Sequence, residues 1–192
     1  TPKDGALAPA DSEVLALTLD GSVRAMAAAF EPECASLAKL AVEETGFGNT
    51  QDKTEKNLFA CKAVLEAIRP MKTVGFLREI PEKRLWEIGV PVGAIGAIVP
   101  STNPTSTVCY KALIALKAGC AIVFSPHPKA ARCTRQAAEL LHLPQRYQLR
   151  AAQHHIHIQG GGGGSAIHKA QNALVHPGPE GGDIFFFDGK AC

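Results

Sequence analysis

Apolar and polar positions follow two different rhythms along this chain. Ser12–Phe30 and Pro32–Glu44 are rich in Ala and Leu, which predicts two helices, the second ending at Thr45-Gly46, where glycine can take the left-handed cap. Asp52–Arg69 sets Leu58, Cys61, Val64, Leu65 and Ile68 at steps of three and four, which predicts an amphipathic helix stopped by Pro70. The rhythm then changes. Trp86–Pro100 is a glycine-punctuated run of Val and Ile that predicts one strand buried on both faces. Asn103-Pro104 starts the next helix, with Asn at the cap, Pro in the first turn and Leu113, Ile114 and Leu116 as apolar positions before Gly119 closes it. Cys120–Ser125 predicts a second buried strand, and Lys129–Leu141 a further helix. Strand, helix, strand, helix with short links predicts right-handed βαβ units: an α/β fold, a three-layer parallel sheet with flanking helices behind an N-terminal helical segment.

Composition narrows the class. With 192 residues the chain is one large domain or two small ones, and 46% hydrophobic against 20% charged residues fits an ordinary globular chain. A net charge of +2 offers no basic excess for nucleic acid. The longest apolar run, Ile95–Pro100, is far short of the roughly 18 residues of a membrane span, and no signal-peptide order opens the chain, so a cytoplasmic protein is expected. The start at Thr1 suggests a fragment or a trimmed chain. Cys34, Cys61, Cys109, Cys120, Cys133 and Cys192 show no C-x-x-C spacing, and several sit in apolar periodic segments, as buried free thiols do.

Character shifts near Leu141, dividing the chain into a body over 1–141 and a His/Gly-rich tail over 142–192. Only His127 precedes that point, whereas six histidines follow it, and nine of the eighteen glycines lie in the last 42 residues. In the tail, Arg146–Gln159 reads as a strand, Gly160–Gly164 as a linker or turn, and Ile184–Phe187 as a short strand before Asp188-Gly189. His155 and His157 would share one strand face, but no further ligand stands at a fixed spacing, so an accidental polar cluster is favoured over a metal site.

Ligands of open α/β sheets bind beyond the carboxyl ends of the strands, where this chain has Pro100-Ser101-Thr102-Asn103 and Ser125-Pro126-His127-Pro128. Both carry hydrogen-bonding side chains and lead into helix starts, where free N–H groups favour anions, so a nucleotide site is predicted. The bland alternative is that Ser101 and Asn103 only cap a helix. Gly89, Gly93 and Gly96 are spaced G-x-x-x-G-x-x-G and precede the turn, so they form no dinucleotide fingerprint.

Five segments in order carry a resemblance: E-E-T-G-F-G (Glu43–Gly48), D-K-x-x-K-N (Asp52–Asn57), G-V-P-V-G-A-I-G-A-I-V-P-S-T-N-P-T-S-T (Gly89–Thr107), K-A-L-I-A-L-K-A-G (Lys111–Gly119) and F-S-P-H-P (Phe124–Pro128). Over roughly residues 12–141 the chain resembles the CoA-acylating aldehyde dehydrogenases, which include acetaldehyde, propionaldehyde and sulfoacetaldehyde enzymes, some in bacterial microcompartments. The resemblance implies an aldehyde-dehydrogenase-like cofactor domain, and the reaction of aldehyde, CoA and NAD(+) to acyl-CoA and NADH through a cysteine thioester. It implies that Asn103 donates to the oxyanion, that Pro100, Ser101 and Thr102 line the nicotinamide side, and that Ser125, His127 and Pro128 hold the adenosine ribose. On this reading the Asn103 carbonyl oxygen caps the helix while its NH2 donates, and His127 is a cofactor contact or, alternatively, a surface loop residue.

After Leu141 no counterpart of the family's later segments is recognisable. Phe186-Phe187-Asp188-Gly189-Lys190-Ala191-Cys192 shares only a Gly-x-x-Cys spacing and a nearby Phe with the family's approach to its nucleophile, which leaves Cys192 between catalytic counterpart and bland terminal thiol. Two further readings stand beside the enzyme: a truncated or frameshifted, non-catalytic nucleotide-binding fragment, and a tail that serves as a metal-binding interaction module. Uncovered sheet edges and helix faces predict self-association.

Overall fold

The computed structural model describes residues 9–142, 176–177 and 183–187. Three helices come first: α1 (Pro9–Phe30), α2 (Cys34–Thr45) and α3 (Thr50–Ile68). α2 ends as its sequence predicts, with Gly46 at φ 72° and its N–H donating to the Val42 carbonyl at 2.8 Å. α3 starts at Thr50 rather than Asp52 because Asn49 caps it. The Asn49 Oδ1 accepts from the Asp52 N–H at 2.8 Å while its Nδ2 donates to Asp52 Oδ2 at 2.8 Å.

β1 (Gly75–Ile80) and β2 (Leu85–Gly89) then form an antiparallel ribbon. This corrects the expectation of a single strand over Trp86–Pro100, since β2 ends at Gly89 and β3 (Ala94–Val99) belongs to a different sheet. Pro91 has no N–H for a ladder, and Gly93 sits at φ 102°, so neither residue continues a strand. Gly89 is obligatory where it stands, because a Cβ there would lie 2.4 Å from the Thr73 carbonyl oxygen.

β3, α4 (Pro104–Lys117) and β4 (Ala121–Pro126) make the expected βαβ unit, with the two strands parallel from Ala94 opposite Ala121 to Val99 opposite Pro126. Neither strand is buried on both faces, which is a second correction. Ala97, Val99, Ile122 and Phe124 point into the core, whereas Ile98 is 76% exposed. α4 covers one side of the pair, so side chains alternate in and out. A 3-10 turn at Pro128–Ala130 leads into α5, over residues 131–142.

Two strands from beyond residue 141 complete the sheet. β6 (Asp183–Phe187) pairs antiparallel with β4, placing Phe187 opposite Ile122 and Phe185 opposite Phe124, and β5 (His176–Pro177) pairs antiparallel with β6. The α/β class with its helical N-terminal segment therefore holds. The sheet, ordered β3-β4-β6-β5, is parallel only within the βαβ unit and antiparallel beyond it. The segments expected at Arg146–Gln159 and Gly160–Gly164 lie outside the described residues.

The core gathers around α4, where Val108, Leu113 and Leu116 pack with Val23, Met26 and Phe30 of α1. Each such side chain contributes roughly 1.5–3 kcal/mol by leaving water. A polar tie crosses this interface: the buried Lys117 ammonium pairs with the Asp20 carboxylate and donates to the Arg69 carbonyl at 3.2 Å. No described helix is long and apolar enough to cross a membrane.

Candidate functional site

The parallel pairing of β3 and β4 brings their C-terminal ends side by side, because Val99 stands opposite Pro126. The loops that follow are tied together by the His127 N–H, which donates to the Val99 carbonyl at 3.0 Å. Pro100, Ser101, Thr102 and Asn103 thus meet Ser125, His127 and Pro128 at one end of the sheet. Pro100, Thr102, Ser125, His127 and Pro128 are exposed, and Ser101 and Asn103 are half-buried. Hydroxyls from Ser101, Thr102 and Ser125 and the start of α4 give this end a donor set suited to a phosphate- and ribose-bearing ligand.

Asn103 does not cap α4 with its side chain, contrary to the expectation from Asn-Pro spacing. Its Oδ1 accepts instead from the Lys56 ammonium at 3.3 Å. The helix start is closed by α4 itself, since the Thr107 N–H and hydroxyl both donate to the Asn103 carbonyl, at 3.2 and 2.6 Å. Nδ2 is left as the side chain's donor. His127 also serves its own backbone: Nδ1 accepts from the Lys129 N–H at 3.1 Å, which puts the ring proton of a neutral imidazole on Nε2.

Beneath the first loop lie three residues of α3 whose motif the sequence displayed without revealing its work. Lys53 is 5% exposed, and its ammonium donates to the Thr102 carbonyl. Burial, reinforced by the nearby Lys56 ammonium, holds Lys53 below the ordinary lysine range. Asn57, also buried, donates from Nδ2 to the Cys34 carbonyl at 2.9 Å and accepts at Oδ1 from the Thr105 hydroxyl at 2.8 Å. The available signal was the spacing of Lys53, Lys56 and Asn57 at i, i+3 and i+4, which puts two ammonium groups and an amide on one helix face.

Cys34, Cys61, Cys109, Cys120 and Cys133 are all free and buried, as their apolar settings predict. Burial pushes the Cys109 thiol well above the ordinary range, and burial with the Glu44 carboxylate pushes Cys133 up to about 12. Cys34 rises through its contact with Cys61, at 3.9 Å between sulfurs, and through burial. Among the described residues no group of three His, Cys, Asp or Glu could hold a metal ion. Cys192 and the histidines at 154, 155 and 157 lie outside the described residues.

Comparison with known proteins adds a family match and three likenesses. The aldehyde dehydrogenase family profile matches residues 20–145. Aldehyde-alcohol dehydrogenase 2 of Entamoeba histolytica is 46% identical over 118 residues, which span 62% of this chain and 13% of that protein. An acetylating aldehyde dehydrogenase from Geobacillus thermoglucosidasius superposes with a TM-score of 0.68 at 51% identity, over 71% of this chain and 31% of that one. A Rhodopseudomonas palustris propionaldehyde dehydrogenase, solved with bound CoA and an acylated cysteine, superposes with a TM-score of 0.55 at 26% identity, over 69% of this chain and 30% of that one.

Proposed function

The chain belongs to the aldehyde dehydrogenase family, and from that premise we propose that it supplies the nicotinamide-cofactor and oxyanion-facing part of a CoA-acylating aldehyde dehydrogenase. The overall reaction is aldehyde, CoA and NAD(+) to acyl-CoA, NADH and a proton. The observation that carries this reading is the joining of the two strand-end loops, through the His127 to Val99 hydrogen bond, into one exposed polar surface at the end of the sheet. The bound CoA and acylated cysteine of the Rhodopseudomonas enzyme support the acyl-transfer half.

The donor set fits a dinucleotide. Ser101 and Thr102 with Pro100 line the nicotinamide side, and Ser125, His127 and Pro128 the adenosine ribose, where His127 offers an Nε2 proton. These residues would hold NAD(+), whose nicotinamide ring would supply the hydride acceptor for the oxidation of the aldehyde carbon. A cysteine thiolate must first add to the carbonyl, and the oxyanion so formed needs a fixed donor. Nδ2 of Asn103 takes that role, since Lys56 holds its oxygen. Loss of hydride would leave a cysteine thioester, whose acyl carbon the CoA thiolate attacks, forming acyl-CoA and releasing the cysteine thiolate. The chain spans 31% of its Geobacillus relative, and the candidate nucleophile within this sequence is Cys192.

The test follows NADH formation from acetaldehyde, NAD(+) and CoA, with NAD(+) binding measured in parallel. In a complete site, turnover is CoA-dependent, falls about 10²–10³-fold in Asn103→Ala, and disappears in Cys192→Ala. Binding of NAD(+) without turnover identifies a cofactor-binding segment that has no nucleophile of its own. A chain that binds no NAD(+) overturns the proposal.

A further inference from the structure

Three motifs distant in sequence meet at the start of α4. The first is the turn after α2, where Gly48, at φ 71°, lies against the Lys53 stem: a Cβ there would sit 3.5 Å from Cε and 3.9 Å from Nζ. The second is the α3 face that carries Lys53, Lys56 and Asn57. The third is the loop between β3 and α4, whose Thr102 carbonyl accepts from Lys53 and whose Asn103 Oδ1 accepts from Lys56 at 3.3 Å. Asn57 joins the same assembly to the first turn of α4 through the Thr105 hydroxyl at 2.8 Å.

Stability alone does not account for this arrangement. An ammonium enclosed to 5% exposure is costly to desolvate, and an apolar side chain of similar length would fill the space without that cost. What the ammonium adds is direction. It is a donor only, so Lys53 holds the backbone carbonyl of Thr102 in one orientation. By the same chemistry Lys56 selects the oxygen of the Asn103 amide, which decides that Nδ2 is the end presented on the other side.

We propose that Lys53 and Lys56 are positioning residues of the loop between β3 and α4: Lys53 fixes the backbone course of Ser101–Asn103, and Lys56 fixes which end of the Asn103 amide faces the reacting oxygen. The role deepens the function proposed above and rests on it, while the two contacts can be tested without it.

The experiment is nuclear magnetic resonance on the full, isotopically labelled chain. In the unsubstituted protein a coupling through the hydrogen bond is expected between Lys53 Nζ and the Thr102 carbonyl carbon. Lys53→Met is expected to move the Thr102 carbonyl-carbon resonance upfield, the loss of its hydrogen bond from a charged donor. Core amides of α4 keep their hydrogen-exchange rates, NAD(+) binding weakens, and Lys53→Arg restores part of the shift and of the binding. Lys56→Met is expected to leave the Thr102 carbonyl resonance in place and to shift the Asn103 Nδ2 resonances. Absence of the Lys53 coupling overturns the clamp even if Lys53→Met does not fold, and so does an unmoved Thr102 carbonyl resonance in a folded Lys53→Met. Unshifted Asn103 resonances in Lys56→Met overturn the second assignment. If the coupling is present but the unsubstituted chain binds no NAD(+), the cofactor reading fails and the clamp stands.

Discussion

Thr105 shows how much one side chain decides at this site. Its hydroxyl is buried and donates to Asn57 Oδ1 at 2.8 Å, so Thr105→Val keeps the shape and leaves an enclosed acceptor without its donor. A loss of about 1–3 kcal/mol is expected, read from the urea midpoint at constant m-value. Cys133 allows a prediction in pH. Its thiol, ordinarily near 9, is pushed up to about 12 in the folded chain, so above pH 9 the unfolded state releases a proton that the folded state keeps. Stability contributed by this group therefore falls as pH rises from about 9 towards 12, by up to about 1.4 kcal/mol per pH unit, and Cys133→Ala flattens that fall. Identical slopes in the two proteins across that range would show that Cys133 ionises alike in both states. Residue identity was partly legible in advance: Asn103-Pro104 marked a helix start, and the cysteines read as buried thiols. The Lys53 and Lys56 contacts were not, because they join residues 49 and 47 positions apart, and periodicity reports only neighbours within a turn or two.

At the scale of elements, local signals fared well wherever a helix carried its own caps. Gly46 ended α2 and Pro70 followed α3 as expected, whereas Asn49 moved the start of α3 back to Thr50 through a side-chain bond. The strands were harder, because a Val- and Ile-rich run looks continuous until Pro91 and Gly93 are given their backbone roles, and β1 alternates too weakly to announce itself. Interelement ties were invisible, and the one between α1 and α4 makes a sharp prediction. Lys117 is buried and ion-paired with Asp20, so Asp20→Asn strands an enclosed ammonium. That substitution is expected to destabilise by roughly 3 kcal/mol, and the double variant Asp20→Asn with Lys117→Met by less, because no charge is then left unpaired. Equal or greater loss in the double variant, measured by chemical denaturation, would mean that Lys117 contributes through its packing instead.

For the whole molecule, what is uncovered matters as much as what is packed. The β1–β2 ribbon and the segment after it expose Trp86, Ile88, Val90 at 73% and Val92 at 82%, while Ile98 of β3 stands 76% exposed beyond the face that α4 covers. β1 and β2 pair only with each other, so each keeps an open edge among the described residues. Short ribbons of this kind are marginal alone and gain most from added strands or an apolar partner face. Val92 sits where a lysine would keep its head in water and remove a large exposed apolar side chain without touching the core. Self-association that strengthens with concentration is therefore expected in sedimentation velocity, and Val92→Lys combined with Val90→Thr should weaken it while leaving the unfolding free energy within about 0.5 kcal/mol of the parent, as surface changes usually do. A species that sediments as a monomer at every concentration would mean that this apolar surface is satisfied within the single chain, and the doubly substituted protein would then lose stability rather than association.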